Sequence, residues 1–222
     1  MRVTLTDEEV RVLGALVEKS VATPEYYPLT LNAVRAACNQ RSSREPVVEY
    51  DEATVARALE GLKEQHLLWF VSEAGARAVK YKHRFSEAFD LSEADVAALC
   101  LLMLRGPQTA GEVRGRAERL HSFASPEEVE KVFEGLAALE EGPLVVKLPR
   151  QPGRKESRWA HTFSGVPEVR SESEAPARVD APVAAARDER ARLSALETEV
   201  AALKDQVAGL KAQLEGFSKQ FE

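Results

Sequence analysis

A chain of 222 residues, 44% hydrophobic and 30% charged, has the composition of one or two globular domains and is too polar for an integral membrane protein. Its longest apolar run, VAALCLLML at 96–104, is about half of what a bilayer crossing needs. The start, MRVTLTDEEV, lacks the apolar stretch of a secretion signal, so the expectation is a cytoplasmic protein with no membrane partner. The formal net charge of −6 argues against indiscriminate polyanion binding by the whole molecule but leaves room for a local basic patch.

The first predicted helix starts at Thr6-Asp7-Glu8-Glu9. Thr6 and Glu9 have capping-box spacing, and Val10, Leu13 and Val17 follow at helical intervals. In TPEYYP (23–28), Pro24 and Pro28 disfavour helix at the residues before them, so the chain is expected to cross in extended form. Tyr26 and Tyr27 would then point to opposite sides, one into the core and one outward. Thr30 is placed to cap a second helix, LNAVRAACNQ (31–40), with Leu31, Val34 and Ala37 or Cys38 as its inward stripe. Two readings of this stretch stay open: a joint of the fold, or a contact surface made by the outward tyrosine with Asn39, Gln40, Arg41 and Arg44. A third helix, EATVARALEGLKEQH (52–66), lines up Val55, Ala58, Leu59 and Leu62. The period then drops to two, and LLWFV (67–71), a turn SEAGA (72–76) and RAVKYKHRF (77–85) read as a hairpin.

The chain then repeats itself. LTDEEVRVL (5–13) is echoed by LSEADVAAL (91–99), VARALEGL (55–62) by VEKVFEGL (129–136), and YKHRF (81–85) by WAHTF (159–163), at offsets of 86, 74 and 78 residues. The order of the echoes is kept while the spacing drifts by loop lengths, so two copies of one unit are predicted. In the second, helices fall near 92–104, 109–120 and 126–140, followed by PLVVKL (143–148), a turn (149–157) and RWAHTF (158–163). Three helices followed by a two-stranded hairpin is the winged-helix variant of the helix-turn-helix. The predicted fold is therefore mainly α with α+β character: a winged-helix domain at 1–86 and a second at 87–165.

Residues 166–186 scatter Pro167, Pro176 and Pro182 among Ala, Ser and acids, the composition of a flexible linker. Beyond it Leu193, Leu196, Val200, Leu203, Val207, Leu210, Leu214, Phe217 and Phe221 alternate spacings of three and four. That heptad pattern predicts a coiled-coil helix over 187–222 and a parallel homodimer, with Arg192 facing Glu197 of the second chain and Glu199 facing Lys204. The alternative is a single amphipathic helix folded back on its own domains.

The segment from Leu5 to Leu62, above all TPEYYPLTLNAVRAACNQRSSREPV (23–47), resembles the bacterial YceH family. The similarity runs more loosely to about residue 165. The resemblance implies cytoplasmic proteins with tandem winged-helix domains, and it implies no activity, because none is established for the family.

Chemistry is sparse. Cys38 and Cys100 lie far apart among apolar neighbours, as two buried thiols would, with no metal clip or disulfide framework. His66, His83, His121 and His161 fit no metal spacing, and no GxxxxGK[ST], GxGxxG or GxSxG motif is present. The expectation is a protein that is not an enzyme, with no catalytic residues, cofactor or metal.

For a nucleic-acid reader, the charges on the third helices and the wings are the test. The third helices are acidic: Glu52, Glu60 and Glu64 against Arg57 and Lys63 in the first copy, and Glu127, Glu128, Glu130, Glu134, Glu140 and Glu141 against Lys131 in the second. The wings are basic. Arg77, Lys80, Lys82 and Arg84 lie on the first, Lys147, Arg150, Arg154, Lys155 and Arg158 on the second, and Arg35, Arg41 and Arg44 cluster around helix two. Lys80, Lys82 and Arg84 share one side of their strand. The favoured reading is a dimeric regulator that meets double-stranded DNA phosphates through its wings. The alternative is a protein-interaction scaffold that docks a partner on the acidic helices and does not bind DNA.

Overall fold

Helix α1, Asp7–Ala22, begins on the predicted capping box: Thr6 Oγ1 accepts from Glu9 N at 3.2 Å, and the Glu9 carboxylate accepts from Thr6 N at 2.8 Å. In this computed structural model the described residues are 3–71, 78–151, 153 and 156–165. The segments expected as linker (166–186), coiled coil with its leucine seam (187–222) and first hairpin turn (72–76), together with Arg77, Arg154 and Lys155, lie outside them.

After α1 the chain does not cross in extended form. Pro24–Tyr26 is a single 3₁₀ turn, in which Pro24 takes a first position where a missing N–H leaves nothing unsatisfied. A two-residue strand β1, Leu29–Thr30, follows, and Thr30 Oγ1 caps α2, Leu31–Cys38, by accepting from Ala33 N. Helix α3, Glu52–Glu64, is capped by Asp51, whose carboxylate accepts from Thr54 N at 2.7 Å. Strands β2, Leu68–Val71, and β3, Lys80–His83, complete an antiparallel sheet of order β1-β3-β2.

The second strand was expected to run to Phe85, but it stops at His83. Arg84 N still bonds Leu67 O at 2.8 Å, and the chain then coils into a short helix α4, Phe85–Phe89, which ends at Asp90 in the left-handed region (φ 51°). The join between the copies is thus a turn of helix, held by the buried Phe85 ring against Phe89 at 5.5 Å.

The second copy repeats the order, its second and third helices shorter than the periodicity suggests. Helix α5 is Glu93–Arg105, α6 is Ala110–Arg116 and α7 is Pro126–Ala137; Ser92 and Thr109 open the first two with capping boxes. Strands β4, Val145–Lys147, and β5, Trp159–His161, pair antiparallel. Gln108 exchanges both backbone bonds with Trp159, at 3.0 and 2.8 Å. It occupies the place that β1 takes in the first copy, so both copies carry the same strand order.

Helices α1 and α5 form the centre. Each is buried all round along a run of nine residues, Glu9–Val17 and Val96–Leu104. Equivalent positions meet there: Cys100 Sγ donates to the carbonyl of its counterpart Gly14 at 3.5 Å, and Phe85 meets its counterpart Phe163 edge-on at 5.7 Å. A Cβ on Gly14 would press within 3.1 Å of Leu104 and Met103, so the glycine sets how closely the helices approach. One continuous apolar core runs through both copies, inside a single compact unit, Met1–Val169. The fold is mixed α and β, with seven α-helices and two small antiparallel sheets among the described residues. None of those helices is long and apolar enough to cross a membrane.

Candidate nucleic-acid interface

The register of the first sheet sorts its side chains. Leu68, Phe70, Leu29 and Tyr81 fall on the face toward the core, where Leu68 and Leu29 are buried. Trp69 pairs with Lys82, and Val71 and Thr30 pair with Lys80, on the opposite face, because directly opposed residues share a side. Trp69 is 55% exposed there. The Arg84 guanidinium, diagonal to it, lies over the indole ring at 4.5 Å. Among the described residues Lys80, Lys82 and Arg84 have no acidic partner.

The second sheet is the opposite case. Lys147 is ion-paired with Glu130, whose other oxygen accepts from Trp159 Nε1 at 3.0 Å. Arg158 donates to Pro107 O at 2.6 Å and to Glu112 at 2.9 Å, while Arg116 donates to Gln108 Oε1 at 2.6 Å. Burial raises the Glu112 carboxyl, but the Thr109 N–H and Arg158 outweigh it and hold the group below its usual range. Of the second copy's predicted phosphate ligands within the described residues, Arg150 alone is exposed without an ion pair.

Much of the motif at 23–47 is engaged within the fold. Arg44, expected on a phosphate-facing surface, is 4% exposed. Its Nη1 and Nη2 donate to the Glu18 carboxylate at 3.0 and 2.6 Å, its Nε and Nη2 to Ala37 O, Nη1 to Ser43 O and Nη2 to Gln40 Oε1. Desolvating a guanidinium is tolerable only with its donors engaged in this way. Burial raises Glu18, but Arg44 and Lys19 outweigh it and lower its pKa. A second buried cation, Arg11, holds Cys38 O and Pro46 O. The loop then reaches the second copy: Glu45 N bonds Leu104 O at 2.9 Å, and Arg105 donates to Ser43 Oγ at 2.8 Å.

The other motif residues divide between groups held in the fold and groups left in solvent. The Asn39 amide exchanges two 2.9 Å bonds with the Tyr50 backbone, and Gln40 Oε1 accepts from Arg44 and Lys19. Tyr27 is half-buried, its hydroxyl accepting from His83 N at 2.6 Å, while Tyr26 is 73% exposed. Arg41 is exposed, and Arg35 is half-buried with Nη2 on Asn32 at 3.0 Å.

One constellation invites a catalytic reading. Ser20 Oγ lies 2.8 Å from His83 Nε2 beside a cavity of about 290 Å³ lined by Val17, Leu91, Val96 and Cys100. Phe85 N–H donates to His83 Nδ1 at 3.2 Å, so in the neutral ring the proton sits on Nε2 and is donated to Ser20. Burial depresses this histidine to about 4, which keeps it neutral. Ser20 in turn donates to Val17 O at 2.8 Å. The proton stands on the wrong nitrogen for activating a hydroxyl. Both thiols are buried, which pushes Cys38 up to about 12 and Cys100 up as well, away from thiolate chemistry. Among the described residues no three His, Cys, Asp or Glu side chains cluster as a metal site would require.

Sequence reasoning missed Trp69, Arg11 and Glu18. Trp69 had a signal, since it stands out of phase with Leu68 and Phe70 in an alternating strand. Arg11 and Glu18 had none, because their partners lie 26 to 35 residues away.

The geometry defines a class: a duplicated helix-and-sheet protein with one open basic sheet face. Residues 5–154 match the family described as protein of unknown function, DUF480, and the chain belongs to that family. It is 54% identical over 172 residues to a UPF0502 protein of Opitutus terrae, covering 78% of this chain and 75% of that one. With UPF0502 protein GSU0233 of Geobacter sulfurreducens the identity is 50% over 205 residues, 90% of each chain. With UPF0502 protein YceH of Salmonella newport it is 47% over 205 residues, 90% of this chain and 93% of that one. The likeness read from residues 23–47 is therefore to true relatives, and it extends past residue 165.

Proposed function

We propose that this chain is a tandem winged-helix protein that associates with double-stranded DNA, with the first copy's sheet laid along the phosphates, and that it carries out no reaction of its own. The heptads of 187–222 would join two chains and double the number of sheets that can engage. The observation that carries the reading is the trio Lys80, Lys82 and Arg84, unpaired on one face of a chain whose net charge is −6. Two features support it. Each copy has three helices followed by strands in the same order, and the ion pairs that close the second sheet are missing from the first. Phosphate contacts of this kind position a protein without reading sequence. Acidic third helices fit backbone contact better than insertion into a groove.

The test is fluorescence anisotropy of a labelled mixed-sequence duplex against the full chain. Three phosphate contacts at a slope of roughly −0.9 each predict about a fortyfold loss of affinity between 50 and 200 mM salt. Lys80→Glu with Lys82→Glu is expected to abolish binding without moving the melting temperature. Absence of binding by the wild type at 50 mM salt would refute the reading. That result would favour a protein-docking scaffold, for which the second copy is the better candidate, since Glu127 and Glu134 stand exposed on α7.

A further inference from the structure

We infer that the same sheet face carries a stacking platform, Trp69, which takes an unpaired nucleobase, so that where a duplex opens the face holds the single-stranded segment by a base as well as by its phosphates. The inference rests on the reading that the face meets DNA phosphates, and adds a base contact to it.

Trp69 occupies an outward position of a strand, where alternation calls for a polar residue. It is nevertheless 55% exposed, in a chain whose other tryptophan, Trp159, is 3% exposed. An indole left open on a sheet offers a flat apolar face for stacking. The groups around it specify the cover. Lys82 stands directly across the ladder, Lys80 two residues further along the same face, and Arg84 lies over the ring at 4.5 Å. Among the described residues every charged group on this face is a cation, so a covering surface must supply anions beside a flat apolar ring. A nucleotide has both. Lys80 and Lys82 are about 7 Å apart at ordinary strand rise, a distance that successive phosphates of an extended strand can match. Arg84 holds the indole in place on one side, as guanidinium stacking on an aromatic does. In duplex DNA the base faces are occupied by their neighbours, whereas in a single strand they are free to stack on an aromatic side chain.

The second copy lacks this arrangement. The pair in the same register as Trp69 and Lys82 is Val146 and Ala160. Its tryptophan sits at the position equivalent to Tyr81, on the core side, stacked on Phe133 at 5.3 Å. Any stacking therefore belongs to the first copy alone, and the chain's two tryptophans separate the signal.

The experiment is a titration of the full chain with a thymidine oligonucleotide and, separately, with a blunt duplex, following intrinsic tryptophan emission and anisotropy of the labelled DNA together. The oligonucleotide is expected to quench emission in the wild type and in Trp159→Phe, and not in Trp69→Phe. Stacking of one base is worth about 1–3 kcal/mol when the aromatic is replaced by alanine, so Trp69→Ala should bind the oligonucleotide about fivefold or more weakly and the duplex almost unchanged. Unchanged melting of Trp69→Ala would show that the sheet is intact. If both DNAs bind with steep salt dependence, but emission does not change and Trp69→Ala binds as the wild type does, the platform is refuted while the phosphate contact stands. If neither DNA binds, both fall.

Discussion

The two copies build the same core and treat their charges in opposite ways. In the second, Lys147 is closed by Glu130 and Arg158 by Glu112, so among the described residues its sheet presents few free cations. In the first, Arg44 is turned inward onto Glu18 in a loop that reaches α5, while Lys80, Lys82 and Arg84 stay open on the sheet. Charge in this protein therefore does one of two jobs according to burial. It fastens the copies where water is excluded, and it offers a surface where it is not.

The contrast is most exposed to refutation at its buried end. Arg44→Ala leaves the Ala37 carbonyl without its donor and Glu18 with Lys19 alone, and losing one partner of a buried pair costs up to about 3–5 kcal/mol. Arg158→Ala breaks a pair whose side chains are 30% and 29% exposed, which is worth about 1 kcal/mol or less. Denaturant unfolding of the two variants would measure the difference; equal losses would mean that Arg44 is not the fastening described here.

A smaller effect separates the equivalent histidines. Burial holds both His83 and His161 at about 4, below the unfolded value of roughly 6.5. The unfolded chain then binds protons that the folded one refuses, so stability is complete above about pH 6.5 and is lost as pH falls toward 4. For His83 the facing charges are Glu87, which opposes the shift, and Lys82, which adds to it; for His161 it is Asp7, which opposes it. Both His83 nitrogens have partners, whereas His161 Nδ1 is buried with none among the described residues. Imidazole titration by NMR should find both rings near 4, and a value near 6.5 for either would place that ring in water.

The smallest effect is a pair of glycines at equivalent places, Gly61 in α3 and Gly135 in α7. A Cβ on Gly61 would collide with Glu9 Oε1, on the carboxylate whose other oxygen, Oε2, completes the α1 capping box, whereas Gly135 faces open space. Gly135→Ala should stabilise by up to about 1 kcal/mol through helix propensity. Gly61→Ala should gain nothing, because loss of the cap costs about 1 kcal/mol in return. A stabilising Gly61→Ala in thermal melts would show that Glu9 moves aside without cost.

What could be read in the sequence was local or repeated. The capping boxes at Thr6 and Ser92, the helical stripes, the strands around Trp69 and Tyr81 and the echo of Phe85 in Phe163 all follow from spacing within one element or between two copies. What could not be read depended on distant partners or very short elements. Arg44 in a run of Ser, Arg and Glu looks solvated until Glu18, 26 residues upstream, is brought beside it. Strand β1 has two residues and its counterpart at Gln108 one, too few to show a period. Helix α4 was hidden because the strand alternation of YKHRF runs on to the buried Phe85 without a break.

The contacts of Gly14 with Cys100 and of Phe85 with Phe163 join a position to its own counterpart, which is the geometry found at the axis of an isologous dimer. This chain is, in effect, a homodimer written as one polypeptide. Covalent linkage makes the second protomer permanently available, and it removes the rule that both protomers carry the same residues. One sheet was thus free to keep its cations open while the other closed them, an asymmetry that no pair of identical chains could hold.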